Sequence, residues 1–262
     1  MNQCEFREKG YYLSKQLLSA EWVKIIKGFL TQELPLCLEK VQKEVPIADW
    51  SCWGSALQNW LIEKDLSQLS GEIRNVLCGH FRLETRLNPI LTTICQQRFL
   101  IDTVRALLGE GFLCLHMPPV ARFILPNNPF SRVPAHQDIQ YNSFLGHFLT
   151  AWVPLVPIDD KCGGVLVYEG RPEGVLSASD PGGPFWLPKT DPQDREVRVL
   201  SMQPGDVLFL DPYILHESAP NRAEFARLSL DYRFFLRREK AQKHYMEVDT
   251  LQLVSPDQEA AP

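Results

Sequence analysis

The sequence predicts a mainly β protein in which N-terminal helices precede a sandwich or barrel of short strands. Apolar residues recur at helical spacing in the first hundred or so residues. From about residue 110 the chain changes to short runs rich in β-branched and aromatic residues, separated by Pro, Gly, Asn and Asp. Because no helical segments separate these later runs, they favour a sandwich or barrel over a parallel sheet built from β-α-β units.

The clearest helical pattern follows Ser19, where Trp22, Ile25, Ile26 and Phe29 share one helical face. Similar spacing predicts further helices over 31–45, 54–64, 67–79, 88–95 and 98–108. We expect these helices to cover the outer face of a sheet.

The β-rich region contains nine predicted strands, at 112–117, 120–125, 135–140, 147–156, 164–169, 195–202, 206–210, 213–218 and 226–235. The last strand alternates polar with apolar side chains, with Arg227, Ser229, Asp231 and Arg233 on one face and Leu228, Leu230 and Tyr232 on the other. Since alternate residues of a strand face opposite ways, we expect one face to line a polar cavity and the other to pack on helices.

Composition narrows the class of protein. The 262 residues are 45% hydrophobic, which suits one domain with a sizeable core. The net charge is −5 and no cluster of Lys and Arg stands out, which argues against a nucleic-acid partner. Apolar runs such as 153–158 are too short to cross a bilayer, and the first ten residues lack the apolar segment of a secretory signal.

The seven cysteines are odd in number and include no C-x-x-C pair. This pattern argues against a disulfide framework and against a structural zinc site. Scattered single cysteines are typical of a reducing compartment, so we expect a cytoplasmic protein.

Three residues form a candidate metal site. His136 and Asp138 are two positions apart in a predicted strand, so their side chains would point to the same face, and His216 follows the strand after a Pro-Gly-Asp turn. Two histidines and one carboxylate on one side of a metal leave three positions open, which is the arrangement of non-haem Fe(II) oxygenases. A structural zinc site would instead close all four positions with protein groups.

Arg227 lies 11 residues after His216. A buried arginine beside a metal requires an anion, and the distal carboxylate of 2-oxoglutarate is one that a guanidinium can hold through two parallel hydrogen bonds. Ser218 and Ser229 could add hydroxyl donors. For an isolated arginine on a strand, a surface ion pair is the alternative interpretation.

Four stretches carry a resemblance to the phytanoyl-CoA dioxygenase family: HQD (136–138), LTAWVPLVPIDDKCGGVLVYEG (149–170), PGDVLFLDPYILHESAPN (204–221) and Arg227. The resemblance is specific over 136–235, and the opening segment 8–19 is similar more weakly. It implies a double-stranded β-helix, a cupin-like jelly roll with N-terminal helices, and an oxygenase that uses Fe(II), 2-oxoglutarate and O2.

Matched to the family's motifs, His136, Asp138 and His216 correspond to the iron ligands and Arg227 to the 2-oxoglutarate clamp. Ser218 matches a hydroxyl that helps to hold the cosubstrate, and Trp152 matches an aromatic residue that often borders it. Arg122, on the preceding strand, is a further candidate contact with the cosubstrate. Residues 168–171 depart from the family's usual Pro-Gly-Ser-His segment, which affects the pocket wall and no ligand.

The resemblance and the residues together predict one oxygenase domain over 1–262. Residues 1–110 would form a mostly helical cover, 111–240 the double-stranded β-helix and 241–262 a C-terminal tail. Between 123 and 194 there are eight acidic residues, including Asp138, and four basic ones. Such a rim would repel the phosphates of coenzyme A, so we expect a free small metabolite, hydroxylated in a biosynthetic tailoring step.

Three alternatives remain open from the sequence. The protein could be an acyl-CoA hydroxylase of the same family or a non-catalytic jelly-roll binding protein. It could also be a zinc- or manganese-dependent enzyme of the cupin type, which would not need Arg227 at its present offset from His216. In each case the expected partner is a small molecule, with neither nucleic acid nor membrane.

Overall fold

The computed structural model describes residues 3–44, 69–128, 131–177, 195–237 and 242–256. The predicted helix at 54–64 and parts of two long loops, at 129–130 and 178–194, lie outside these ranges. Among the described helices, none combines the length and the apolar character needed to cross a membrane.

Helices dominate the first half of the chain. The described α-helices are α1 (Gln3–Lys9), α2 (Ala20–Glu44), α3 (Gly71–Leu77), α4 (Leu83–Arg86), α5 (Arg98–Leu108) and α6 (Ile139–Asn142), with 3-10 helices at Pro89–Gln96 and Ser143–Leu145. The helix predicted after Ser19 and the one predicted for 31–45 form the single helix α2, which continues through Pro35. Ser19 starts it by accepting a hydrogen bond from the backbone N–H of Trp22 at 3.2 Å, as an N-cap does.

The described strands are β1 (Tyr11–Ser14), β2 (Leu113–His116), β3 (Val120–Ile124), β4 (Phe148–Pro154), β5 (Val165–Tyr168), β6 (Val197–Val199), β7 (Val207–Leu210), β8 (His216–Ser218), β9 (Arg227–Leu236), β10 (Tyr245–Glu247) and β11 (Leu253–Val254). They form two sheets. The larger has the order β1-β7-β4-β9-β2-β10-β11, with β3 also paired to β9, and the smaller has the order β6-β5-β8.

Strand β9 organises the larger sheet. It pairs antiparallel with β4 along one edge and with β2 and then β3 along the other. Its apolar face buries Leu228, Leu230, Tyr232 and Phe234 in the core beneath the helices. The hydroxyl of Tyr232 donates to the carbonyl of Leu91 at 2.9 Å, which ties this face to the helical layer.

The smaller sheet lies across a cavity from β9. Two isolated bridges extend it, between His136 and His216 and between Ile158 and Met202. Side chains from both sheets line the cavity, among them Ser218 of the smaller sheet and Ser229 of the larger. Two antiparallel sheets that enclose a site between them form a jelly roll, which confirms the fold class predicted from the sequence.

Two regions differ from the sequence prediction. Residues 135–140 do not form a strand, because only His136 makes a bridge, and α6 begins immediately after Asp138. Three strands lie outside the predicted β core of 111–240. β1 pairs with β7 in the N-terminal region, while β10 and β11 extend the larger sheet from the predicted tail.

Candidate metal centre and cosubstrate pocket

His136, Asp138 and His216 converge in a buried cluster that could hold a metal ion. Their ligand-type atoms all lie within 4.8 Å of one another. The Nε2 atom of His136 is 4.0 Å from Oδ1 of Asp138, and the two imidazole rings are 4.3 Å apart between centroids. The three side chains border a cavity of about 350 Å³, so the remaining sides of an ion in the cluster would face open space.

Both histidines present the same nitrogen to the cluster. Nδ1 of His136 lies 2.8 Å from the carbonyl of Pro134, and Nδ1 of His216 lies 3.1 Å from the carbonyl of Ile214. A carbonyl only accepts, so each Nδ1 must carry a proton, which leaves Nε2 as the nitrogen that can bind a metal. Burial, with the neighbouring His216, lowers the pKa of His136 to about 3, so its imidazole is neutral, as a metal ligand must be.

The Asp138 carboxylate is held from two sides. Thr150 donates a short hydrogen bond to Oδ2, while Nη2 of Arg233 lies 3.3 Å from Oδ1. Burial alone would raise the pKa of Asp138, but the charge of Arg233 and the hydrogen bond from the Thr150 hydroxyl help to hold the pKa below its ordinary value. Asp138 is therefore ionised and oriented before any ion arrives.

The backbone fixes the positions of the ligands. His136 and His216 exchange two backbone hydrogen bonds, of 2.9 and 3.0 Å, which hold one segment against the edge of β8. The intervening Gln137 is fully buried. Its Nε2 donates to the carbonyls of Tyr213 and Gly174 at 2.6 and 3.1 Å, and its Oε1 accepts from the N–H of Leu176 at 2.8 Å. Gln137 thus ties the segment between His136 and Asp138 to the start of the long loop after β5.

Arg227 lies at the start of β9 and is 2% exposed. Its Nη1 donates to the carbonyls of Gly164 and Ala219 at 3.3 and 3.1 Å, and its buried Nε has no hydrogen-bond partner. No carboxylate in the described part of the chain pairs with it, and burial lowers its pKa to about 10. A buried guanidinium without an anion is costly, so its cavity side suits a carboxylate from a ligand.

Close packing of the backbone creates the acceptors for Arg227. Gly163 has φ +63° and lies so close to the next segment that a Cβ would approach the carbonyl oxygen of Pro220 to 2.4 Å. Since only glycine accepts both conditions, the turn before β5 can pack on residues 219–220 and place the Gly164 and Ala219 carbonyls side by side.

The other predicted cosubstrate contacts border the same cavity: Ser218, Trp152, Ser229 and Arg122. Trp152 and Ser229 are buried. Arg122 is the cross-strand partner of Ser229, and its Nη2 donates to the carbonyls of Cys78 and Ser131, both at 3.0 Å. All eight predicted site residues therefore lie around one cavity, while their roles toward a ligand remain predictions.

The family model of the phytanoyl-CoA dioxygenases (PhyH) matches residues 6–229 of the chain. The chain belongs to the phytanoyl-CoA dioxygenase family. This confirms the family inferred from the motifs.

Curated relatives are similar over part of their length. A probable phytanoyl-CoA dioxygenase of Caenorhabditis elegans is 25% identical over 191 residues, which is 67% of this chain and 60% of the relative. The 1-deoxypentalenic acid 11-beta-hydroxylase of Streptomyces arenae is 32% identical over 102 residues, 36% of each chain. The chain thus spans less than two thirds of the length of these relatives.

Solved structures share the fold. EvdO2 from Micromonospora carbonacea var. aurantiaca, a structure complexed with 2-oxoglutarate, superposes with a TM-score of 0.63 at 16% identity and covers 90% of this chain and 89% of its own. At this level of identity the likeness shows the jelly-roll fold of the family and nothing finer.

The sequence did not indicate Thr150 and Arg233 as partners of Asp138. It placed Arg233 on the cavity face of its strand but gave it no role. His80 also borders the cavity and makes a bridge with Arg122. His116 packs against Phe144, with the ring centroids 5.5 Å apart. These contacts depend on the register in which distant strands pair, and no local sequence motif indicates that register.

Proposed function

We propose that the chain is an Fe(II)- and 2-oxoglutarate-dependent oxygenase, with iron held by His136, Asp138 and His216 and the cosubstrate clamped by Arg227. The observation that carries the proposal is the pairing of an open triad with a buried, anion-free guanidinium in one cavity. A non-catalytic binding protein would need neither group, and a zinc or manganese enzyme would need no arginine there.

The donor set fits iron. Two neutral imidazoles and one carboxylate on one side of an ion form the facial triad of non-haem Fe(II) oxygenases. Iron that holds 2-oxoglutarate would supply the oxidising power, by activating dioxygen toward a C–H bond of the substrate. The chain's own part is to orient the ligands through Pro134, Ile214 and Thr150 and to hold the distal carboxylate at Arg227.

Ser218, Ser229 and Trp152 complete the proposed cosubstrate site. The two hydroxyls border the cavity on opposite sheets and can donate to the carboxylate that Arg227 holds. Trp152 is buried between β7 and β9 and forms an apolar wall that excludes water. Arg122 neighbours Ser229 and is the second cation available to the cosubstrate.

We further propose a free small metabolite as the substrate, hydroxylated in a tailoring step. The cavity of about 350 Å³ must hold the cosubstrate as well. Its lining has three arginines, Arg122, Arg227 and Arg233, against three carboxylates, Asp138, Asp231 and Glu217, so it offers no excess of charge for a polyphosphate. The Streptomyces relative, by its name, acts on a small acid. The alternative is an acyl-CoA substrate, as the names of the other relatives suggest.

Anaerobic titration tests the proposal. Fe(II) and 2-oxoglutarate together should give a weak visible absorption band with the wild-type protein, and admitting oxygen should release succinate even without substrate. The control is His216→Ala, which removes a proposed iron ligand and should give neither the band nor succinate. If the folded wild-type protein also gives neither, the proposed function is wrong.

A further inference from the structure

Asp231 is a cavity carboxylate with no structural partner. It lies on the cavity face of β9, opposite Trp152 of β4 and Val120 of β3. No hydrogen bond or ion pair joins it to any side chain or backbone group in the described ranges, although it borders the cavity. Asp231 is partly exposed, and it lines the cavity, so its carboxylate is open to a molecule bound there.

The arginines around Asp231 are directed elsewhere. Arg233 pairs with Asp138 at 3.3 Å, and Arg122 donates to two backbone carbonyls. Arg86 donates through Nε to the carbonyl of Pro119 at 2.9 Å. These charges influence Asp231 from a distance, but burial prevails and raises its pKa above the ordinary value. Both of its oxygens are therefore available to an occupant of the cavity.

Asp206 shows what a structural aspartate looks like in this protein. It is fully buried and accepts hydrogen bonds from the N–H groups of Gln203 and Gln16, at 2.8 and 2.9 Å, and from Nζ of Lys15 at 3.0 Å. The hydrogen-bond partners of Asp206 belong to the fold, whereas Asp231 has no such partner among the described residues.

We propose that Asp231 is a specificity-determining residue that accepts a hydrogen bond from a hydroxyl group of the substrate, which is a compact neutral molecule. This inference rests on the proposed function and names the substrate class of the same site. Arg86, Arg122 and Arg233 act on this position together with Asp138, and they outnumber the two aspartates, which favours a hydroxyl over an ammonium donor. An acyl chain would leave the carboxylate without a partner, and a site built to bind a hydroxyl strongly rejects analogues that lack it.

Thermal unfolding of the substrate-free protein provides the first test. Because Asp231 is partly desolvated and has no hydrogen-bond partner, Asp231→Asn should leave Tm unchanged or raise it by up to about 2–4 °C, whereas the matched variant Asp206→Asn should lower it. A fall in Tm for Asp231→Asn like that of Asp206→Asn would show a structural role and overturn the proposal.

Turnover provides the second test. Succinate release above the substrate-free level is measured with three sets of compounds: neutral sugars and polyols, amino compounds, and straight-chain acids with their coenzyme A esters. We expect stimulation by members of the first set, and for the best of them Asp231→Leu should reduce kcat/KM by about a hundredfold or more. Stimulation only by amines or only by acyl compounds, or by none of the three sets, would count against the proposal.

The anaerobic absorption band separates the two proposals. Asp231→Asn and Asp231→Leu should bind Fe(II) and 2-oxoglutarate as the wild type does, since neither ligand requires Asp231. If the wild-type protein shows the band but Asp231→Leu retains full kcat/KM, only the assignment of Asp231 fails. If the wild-type protein lacks the band, the proposed function itself fails.

Discussion

The two faces of β9 share one backbone but differ in how well their side chains are satisfied. On the outer face, Leu230 and Phe234 are fully buried against the helical layer, and even the hydroxyl of Tyr232 has its acceptor. On the cavity face, Arg227 keeps an unpaired Nε and Asp231 has no partner among the described residues. The difference teaches that the outer face supplies stability, while the cavity face keeps its polar groups free for ligands.

The largest effect should come from the metal ligands. His216→Ala removes one of three protein ligands, so iron binding should weaken sharply and succinate release should fall to background, with little change in the far-UV circular dichroism spectrum. Iron content after gel filtration and succinate release measure both effects. Normal iron content and activity in this variant would contradict the assignment of His216 as an iron ligand.

Arg227→Ala should affect the cosubstrate more than the metal. Loss of one partner of a buried charge pair commonly costs about 2–5 kcal/mol, so the apparent affinity for 2-oxoglutarate should fall by roughly thirty- to several-thousand-fold. Titration of the anaerobic absorption band measures it, and Arg227→Lys should restore part of the loss. An unchanged affinity would move the clamp to Arg122.

A substitution on the outer face of β9 should lower stability and leave the binding of 2-oxoglutarate unchanged. Leu230→Ala empties a fully buried site between β3 and β4, so the free energy of unfolding should fall by about 2–5 kcal/mol. Denaturant titration gives this value, while the affinity of the folded fraction for 2-oxoglutarate should stay the same. A large loss of affinity without loss of stability would contradict the division between the two faces.

The smallest effect should come from removing the hydrogen bond that Thr150 donates to Asp138. Thr150→Val keeps the side-chain shape but removes the hydroxyl that donates to Oδ2, so affinity for Fe(II) should fall by about 10- to 100-fold. Competition with a chelating dye measures it. Thr150→Ser, which keeps the hydroxyl, should bind Fe(II) nearly as the wild type does, and equal affinity in the valine variant would show that the hydrogen bond is dispensable.

The sequence predicted the β core and the alternation along β9 because both depend on local periodicity. It was wrong about residues 135–140, where it placed both ligands on a strand. Asp138 instead precedes α6. His136 and His216 lie together because their backbones form a bridge between segments 80 residues apart in the chain. Such a contact depends on register between distant segments, which periodicity does not contain.

The same limit explains the residues that sequence reasoning missed. Thr150 meets Asp138 because β4 pairs with β9 so that Thr150 is opposite Arg233. In sequence it is one threonine in an apolar run. β10 and β11 are only three and two residues long, too short to show alternation, although they extend the larger sheet. The motif stretches sufficed to identify the family because each keeps its characteristic residues close together in the chain, while the roles of those residues stay predictions.

The attachment of Gln137 to Gly174, Leu176 and Tyr213 also sets a boundary for protein engineering. Exchanging the long loop after β5 is the natural way to give this scaffold a new substrate. A graft that replaces Gly174 and Leu176 removes one acceptor and one donor for the side-chain amide of Gln137, which lies between two proposed iron ligands, and leaves only the acceptor at Tyr213. Chimeras joined after Leu176 should therefore keep their affinity for Fe(II), whereas those joined before Gly174 should bind it more weakly.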